Sequence, residues 1–190
     1  MTDAAETVRH PDRAALEAGL AHVRAAPKDG GRVEMIVVRP EPGARLTPER
    51  VALSAAGGVA GDHWAKGCWK ETADGRPHPD VQLCIMSARM IDLCAGGDRG
   101  RWALAGDNLF VDMDLSEDAL PAGTRLALGS AEIEITAEPH KGCAQFIERF
   151  GRDACVFVNV GHGLRVRLRG VYARIVRDGT VAVGDRTTRV

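Results

Sequence analysis

The sequence predicts a mainly β fold, an antiparallel β-barrel with a few peripheral helices, and three observations predict it. Short alternating segments recur along the chain, such as RVEMIVVR at 32–39 and the stretch with Ile133, Ile135 and Ala137 on one face. Turn dipeptides punctuate them, Gly129-Ser130 and Asp178-Gly179 above all. Glycine is frequent, at 22 of 190 residues, which suits a turn-rich β protein. No regular strand–helix alternation marks a doubly wound sheet, and the sequence holds no G-x-G-x-x-G or phosphate-loop motif.

In chain order, residues 1–10 read as disordered. A helix follows over 12–26, with Leu16, Leu20 and Val23 on one face and Pro27 as its stop. It is expected to pack outside the main body, giving an N-terminal extension at 1–31 and a barrel domain at 32–190. After the 32–39 strand come a Pro-containing loop and a short strand at 50–54. Residues 57–80 are rich in Gly, Pro and polar groups, and two tryptophans suggest partial order. Loops of this length are commonly functional, so this one is expected to be mobile and to overhang the Cys143 site. A strand at 81–86 precedes a helix that Ser87 can cap and that runs to about Ala95. Then come a turn and strand within 102–112, the 126–137 hairpin, and a short helix that opens at Cys143 and stops at Gly151. Strands at 165–169 and 170–177 and a hairpin into 180–183 complete the reading.

Apolar content of 45% and charged content of 27% are those of an ordinary globular protein. A net charge of −1 supplies no global field for nucleic acid or an anionic membrane. No apolar run approaches the ~20 residues that span a bilayer, and the N-terminus lacks a signal-peptide core. Five cysteines, at 68, 84, 94, 143 and 155, form no C-x-x-C pair. An odd, unpaired set argues against a disulfide framework and a zinc ribbon. The expectation is a cytoplasmic protein with reduced thiols.

Cys143 is the leading candidate for chemistry. A cysteine at a helix N-terminus meets free N–H groups and the positive end of the helix dipole, which favour the thiolate. His140 and Lys141 beside it are expected to add positive charge. A thiolate attacks sulfur or binds a metal; the competing reading is a small buried residue. Cys68, Cys84, Cys94 and Cys155 read as core fillers, with Cys68 also a candidate resolving partner. Asp107 and Asn108 at a strand start suit either hydrogen bonding to a heterocycle edge or a turn cap. Arg165, Arg167 and Arg169 would share one strand face, either solvated or aimed at a phosphate. Arg169 is kept as the candidate for that role.

The ordered set of Gly61-Asp62, Val81-Gln82-Leu83, Gly106-Asp107-Asn108-Leu109, Cys143 and the closing RLRGVYARIVRDGTVAVGD resembles the MOSC family, named for the C-terminal domain of molybdenum-cofactor sulfurase. The resemblance runs from about Arg32 to Asp185. It implies an antiparallel MOSC-type barrel that handles molybdenum cofactor or a related anionic heterocycle, bound at a barrel mouth. In the family a single recurring cysteine, matched by Cys143, bears a persulfide or ligates molybdenum. His140 would tune it, and Asp107, Asn108, Lys141 and Arg169 would hold the cofactor. The activities implied are sulfur transfer or reduction of N-hydroxylated compounds. A non-catalytic carrier module acting with a sulfur- or electron-donor protein is the alternative. The chain departs from the family at Trp64, where a histidine is usual and His63 stands one place early, and at Pro79-Asp80, where an arginine is usual. No separate lysine motif supports pyridoxal phosphate.

Overall fold

The computed structural model describes residues 9–190, so most of the expected disordered start lies outside the described residues. Helix α1, Arg13–Arg24, starts at Asp12, whose side chain accepts a hydrogen bond from the Ala15 N–H. It buries Leu16 and Val23 against the helices outside the barrel, as its apolar stripe predicts.

Seven strands close the barrel in the order β1-β10-β6-β7-β8-β4-β5, with β5 returning to β1. They are β1 (Gly31–Ile36), β4 (Leu83–Ser87), β5 (Leu109–Asp112), β6 (Arg125–Leu128), β7 (Ala131–Ile135), β8 (Val171–Arg177) and β10 (Arg186–Arg189). Every pairing is antiparallel except β4 with β5, which is parallel, so the barrel is mixed. Helix α2, Ala88–Ala95, and a 3-10 segment at Arg99–Ala105 form the connection that this parallel pair requires. A small sheet of β3 (Gly58–Val59), β2 (Arg50–Ser54) and β9 (Gly179–Ala182) adds Val51, Leu53, Val59 and Val181 to the barrel's apolar interior.

The Gly129-Ser130 hairpin forms as predicted between β6 and β7, with positive φ at the glycine alone. Two expectations need correction. Asp178-Gly179 does not close a hairpin: β9 leaves β8 and pairs with β2, and the Asp178 carboxylate accepts the Ala55 N–H at 2.8 Å. Residues 165–169 are not a strand either. They follow the short helix α4, His162–Arg165, through an irregular turn with Arg167 at φ +52°, so Arg165, Arg167 and Arg169 share no strand face.

Alternation along β4, β5 and β8 sorts their side chains into two environments. Leu83, Ile85, Leu109, Val171 and Ala173 join the barrel interior. Met86 and Phe110 pack with α1, α2 and helix α3 (Ala144–Asn159) on the outer wall, and Cys84 and Tyr172 form a third apolar cluster with Val81. Helix α3 is broken at Gly151, where φ +87° and ψ 162° interrupt the helical path, so the expected stop appears as a kink.

Candidate functional site

A cleft of about 600 Å³ opens against the outer wall of the barrel, where Cys84 of β4 and Tyr172 of β8 face each other as cross-strand neighbours. It therefore lies on the barrel's flank, not at the expected mouth. Trp64, Cys68 and Trp69 of the 57–80 loop line it, which puts that loop over the Cys143 site as expected. His140, Lys141 and Cys143 line the same cleft.

Cys143 is exposed and sits at the N-cap of α3, one residue before the helix proper. Its backbone carbonyl accepts the N–H groups of Phe146 and Ile147. The approach to it is fixed by Asn159, whose side chain takes the Gly142 N–H at 2.8 Å and donates to the Gly142 carbonyl at 3.0 Å. A side chain at Gly142 would crowd Asn159 and the Cys155 sulfur. Cys155 thus backs the Cys143 turn, while Cys94 is a true core residue whose thiol burial pushes up to about 12.

Two buried ion pairs hold the floor. Arg39 donates from Nε to Asp62 at 2.9 Å and from Nη2 to the same carboxylate at 3.0 Å. Its remaining donors reach the Gly106 carbonyl, the Asn108 side-chain oxygen and the Cys84 sulfur. Burial pushes the Asp62 carboxyl up, but the Arg39 hydrogen bonds and charge outweigh it and hold the group below 3.8. The second pair joins Arg169 Nη1 to both Asp107 oxygens, at 2.9 and 2.7 Å. Burial pushes the Asp107 carboxyl upward, and the Arg169 charge pulls against it. Gly170 makes this possible: a Cβ there would lie 2.1 Å from the Ile85 carbonyl oxygen, so only glycine lets the chain deliver Arg169 against β4.

Asp107 and Asn108 are fully buried and stand behind the cleft wall. Asp107 holds Arg169, and Asn108 joins Arg39, Asp62, the Cys84 N–H and the Val37 carbonyl. Both side chains thus hold arginines of the cleft. Arg169 and Lys141 do face the cleft, the latter from an exposed position.

His140 differs from its expected electrostatic role. Its ring is buried 4.3 Å from that of Tyr172, and its Nδ1 has no hydrogen-bond partner among the described residues. Burial first, then the Arg169 and Arg39 charges, hold its basicity well below 6.5, so His140 is neutral. The positive charge around the cleft comes from arginines instead. Cys84, read as a core filler, lies on the cleft floor, where burial pushes its thiol up against the opposing pull of Arg39.

Sequence reasoning missed Arg39, Arg45, Arg149 and Tyr172. The Gly61-Asp62 motif was the available pointer to Arg39, since a buried aspartate demands a cation. Trp64, at the place of the family's histidine, is buried and donates its backbone N–H to Asp62. Asp80 has become a surface partner of Arg174 at 3.5 Å, and its carbonyl accepts from Thr136. No described helix is long and apolar enough to cross a membrane, and no group of three or more His, Cys, Asp or Glu among the described residues is placed to hold a metal ion.

Solved structures share this architecture. The YuaD protein from Bacillus subtilis superposes with a TM-score of 0.61 at 23% identity, covering 83% of this chain and 93% of that one. YiiM from Escherichia coli gives 0.53 at 19% identity over 84% and 69% of the respective chains. YiiM from Geobacillus stearothermophilus gives 0.54 at 16% identity over 84% and 75%. No curated protein matches the sequence. The MOSC domain family model matches residues 75–188, more than half of the chain and the stretch that supplies β4, Asp107, Cys143 and Arg169. The chain belongs to the MOSC domain family.

Proposed function

We propose that the cleft binds molybdenum cofactor or a related anionic heterocycle, and that Cys143 acts there as a sulfur carrier or metal ligand. The observation that carries this reading is the joint lining of one cleft by an exposed cysteine, four arginines and a lysine, with an aromatic wall. Tyr172, the neutral His140 and Trp69 offer ring faces for a planar heterocycle, with Trp69 and Tyr172 6.4 Å apart. The chemistry of the lining fits the cofactor: cations for its phosphate, ring faces for its heterocycle and one soft sulfur ligand for its metal. When bound, the cofactor supplies molybdenum redox chemistry.

The chain's own residues do the remaining work. Arg39 and Arg169, paired with Asp62 and Asp107, hold their guanidinium groups in fixed positions beneath the ligand. The Nδ1 of His140 is buried and turned toward Asp107 at 3.6 Å, so this residue offers the ligand its ring face. As a sulfur carrier, the Cys143 thiolate attacks the outer sulfur of a donor persulfide. The donor's S–S bond breaks, the donor leaves as a thiolate, and Cys143 keeps the outer sulfur with no net redox change. The partner is then a sulfur-donor protein; in the metal-ligand role it is an electron donor.

The test is purification of the full chain from a cofactor-producing host, followed by metal analysis and intact mass with and without reductant. Bound molybdenum, or a reductant-labile sulfur, that disappears in Cys143→Ser supports the proposal. Neither on the wild-type chain overturns it.

A further inference from the structure

Four arginines line the cleft, but only two are neutralised. Arg39 and Arg169 are committed to Asp62 and Asp107. Glu138, the carboxylate in the lining, is taken by Lys70. Arg45 and Arg149 form no ion pair among the described residues. Both are half-buried and anchored beside the same turn: Arg149 Nη1 donates to the Leu104 carbonyl at 2.7 Å, and Arg45 Nη1 donates to the Ala44 carbonyl at 2.6 Å. A Cβ at Gly106 would meet Arg45 Nη2 at 3.4 Å, so this guanidinium rests on the 105–106 backbone. Its Nε is buried with no hydrogen-bond partner. Burial and the charges of Arg149 and Arg39 all disfavour the charged form of Arg45. Two like charges are thus held near each other in a cleft with donors left over. Such an arrangement is costly until an anion sits between them.

We infer that Arg45 and Arg149 form a phosphate subsite, and that this pair, not Arg169, receives the phosphate of a phosphomonoester whose ring lies along the aromatic wall. The inference rests on the reading of the cleft as an anion site. It assigns the phosphate to residues that the Gly106-Asp107-Asn108-Leu109 motif does not include. Planar guanidinium groups suit phosphate oxygens because they donate in pairs. The Arg39 donors are spent on Asp62, Asn108 and the Gly106 carbonyl, and Arg169 commits Nη1 to Asp107 and Nη2 to the Ala105 carbonyl, which leaves only its buried Nε.

Titration calorimetry on the full chain at low ionic strength tests this, with inorganic phosphate, flavin mononucleotide and riboflavin as probes. Inorganic phosphate should bind, and Arg45→Gln and Arg149→Gln should each weaken it about tenfold or more. Arg125→Gln, a surface position paired with Glu132 and Glu134, should leave it unchanged. Wild-type binding should be tighter at about pH 7.5 than at about pH 5.5, because phosphate gains its second charge near pH 6. Flavin mononucleotide tighter than phosphate identifies a ring-bearing monoester as the ligand class. Equal affinity identifies free phosphate, which keeps the subsite and removes the ring from the inference. Absence of phosphate binding, or equal losses in all three variants, overturns the subsite. Unfolding midpoints near wild type for the two glutamine variants exclude a folding defect. Sulfur or metal loading at Cys143 with no phosphate effect at Arg45 or Arg149 ends this inference and leaves the proposed function standing. Phosphate binding without loading does the reverse.

Discussion

The two faces of β4, β5 and β8 contrast sharply. Inward, Leu83, Ile85, Leu109, Val171 and Ala173 make an apolar interior that needs only volume and shape. Outward, Met86 and Phe110 pack under the helices, while Cys84 and Tyr172 reach the cleft, whose floor is held by the buried polar residues Asp107 and Asn108 just before β5. Side chains two residues apart share an environment, and neighbours do not. One set of strands therefore carries the stability of the fold on one face and the cleft on the other. The contrast also shows that the polar residues of the site are structural in their own right: Asp62, Asp107 and Asn108 do not line the cleft, yet they hold Arg39 and Arg169, which do.

The largest effect is expected where that polar floor is broken. Asp62→Ala leaves Arg39 buried and unpaired and should cost about 3–5 kcal/mol in urea unfolding. A loss below about 1 kcal/mol would mean that Arg39 is screened like a surface ion. The same pair has a pH signature. Asp62 titrates below its unfolded value, so its contribution is complete above that value and disappears as pH falls through the folded one. Wild type should lose more stability than Asp62→Asn on acidification below about pH 4.

On the inward face, Leu109→Ala should cost about 2–5 kcal/mol through the cavity it leaves. Cys84→Ser, on the outward face of the adjacent strand, should cost clearly less in the same assay. Equal costs would erase the distinction between the faces.

Smaller effects sharpen the comparison at the cleft rim. Asn159→Ala removes both hydrogen bonds to Gly142 and should cost about 1–3 kcal/mol, with faster amide exchange at 141–143. Unchanged exchange there would remove Asn159 from the positioning of Cys143. His140 gives the smallest effect. Its folded basicity lies below the unfolded 6.5, so the unfolded chain takes up the proton first. Its contribution is complete above 6.5 and is lost as pH falls below it. His140→Phe, which keeps a ring against Tyr172, should flatten that decline in unfolding experiments. An identical decline in both proteins would place a charged His140 in the fold.

Much of this architecture is legible in the sequence where the signal is local. Leu16 and Val23 mark a helix face, Gly129-Ser130 marks its hairpin, and the exposure of Cys143 follows from its polar setting before a helix. The failures share one cause, the choice of partner at a distance. Asp178-Gly179 has the right local chemistry for a hairpin, but β9 finds β2, more than a hundred residues away. Val166 and Leu168 alternate with arginines, yet three alternations also fit a turn folded around Gly161 and Gly170. Arg39 is only the last residue of the 32–39 segment in sequence, and its partner Asp62 stands 23 residues on. The neutral state of His140 follows from its burial and from the charges of Arg169 and Arg39, which no neighbouring residue announces.

Cys143 as the sulfur-bearing residue of a cationic cleft is the central claim. Incubation of the reduced chain with a low-molecular-weight persulfide donor, followed by peptide mass spectrometry, tests it directly. One added sulfur on the Cys143 peptide, absent in Cys143→Ser, retained in Cys84→Ser and removed by reductant, is the predicted result. Sulfur that spreads over Cys68, Cys84 and Cys155, or that persists in Cys143→Ser, would contradict it.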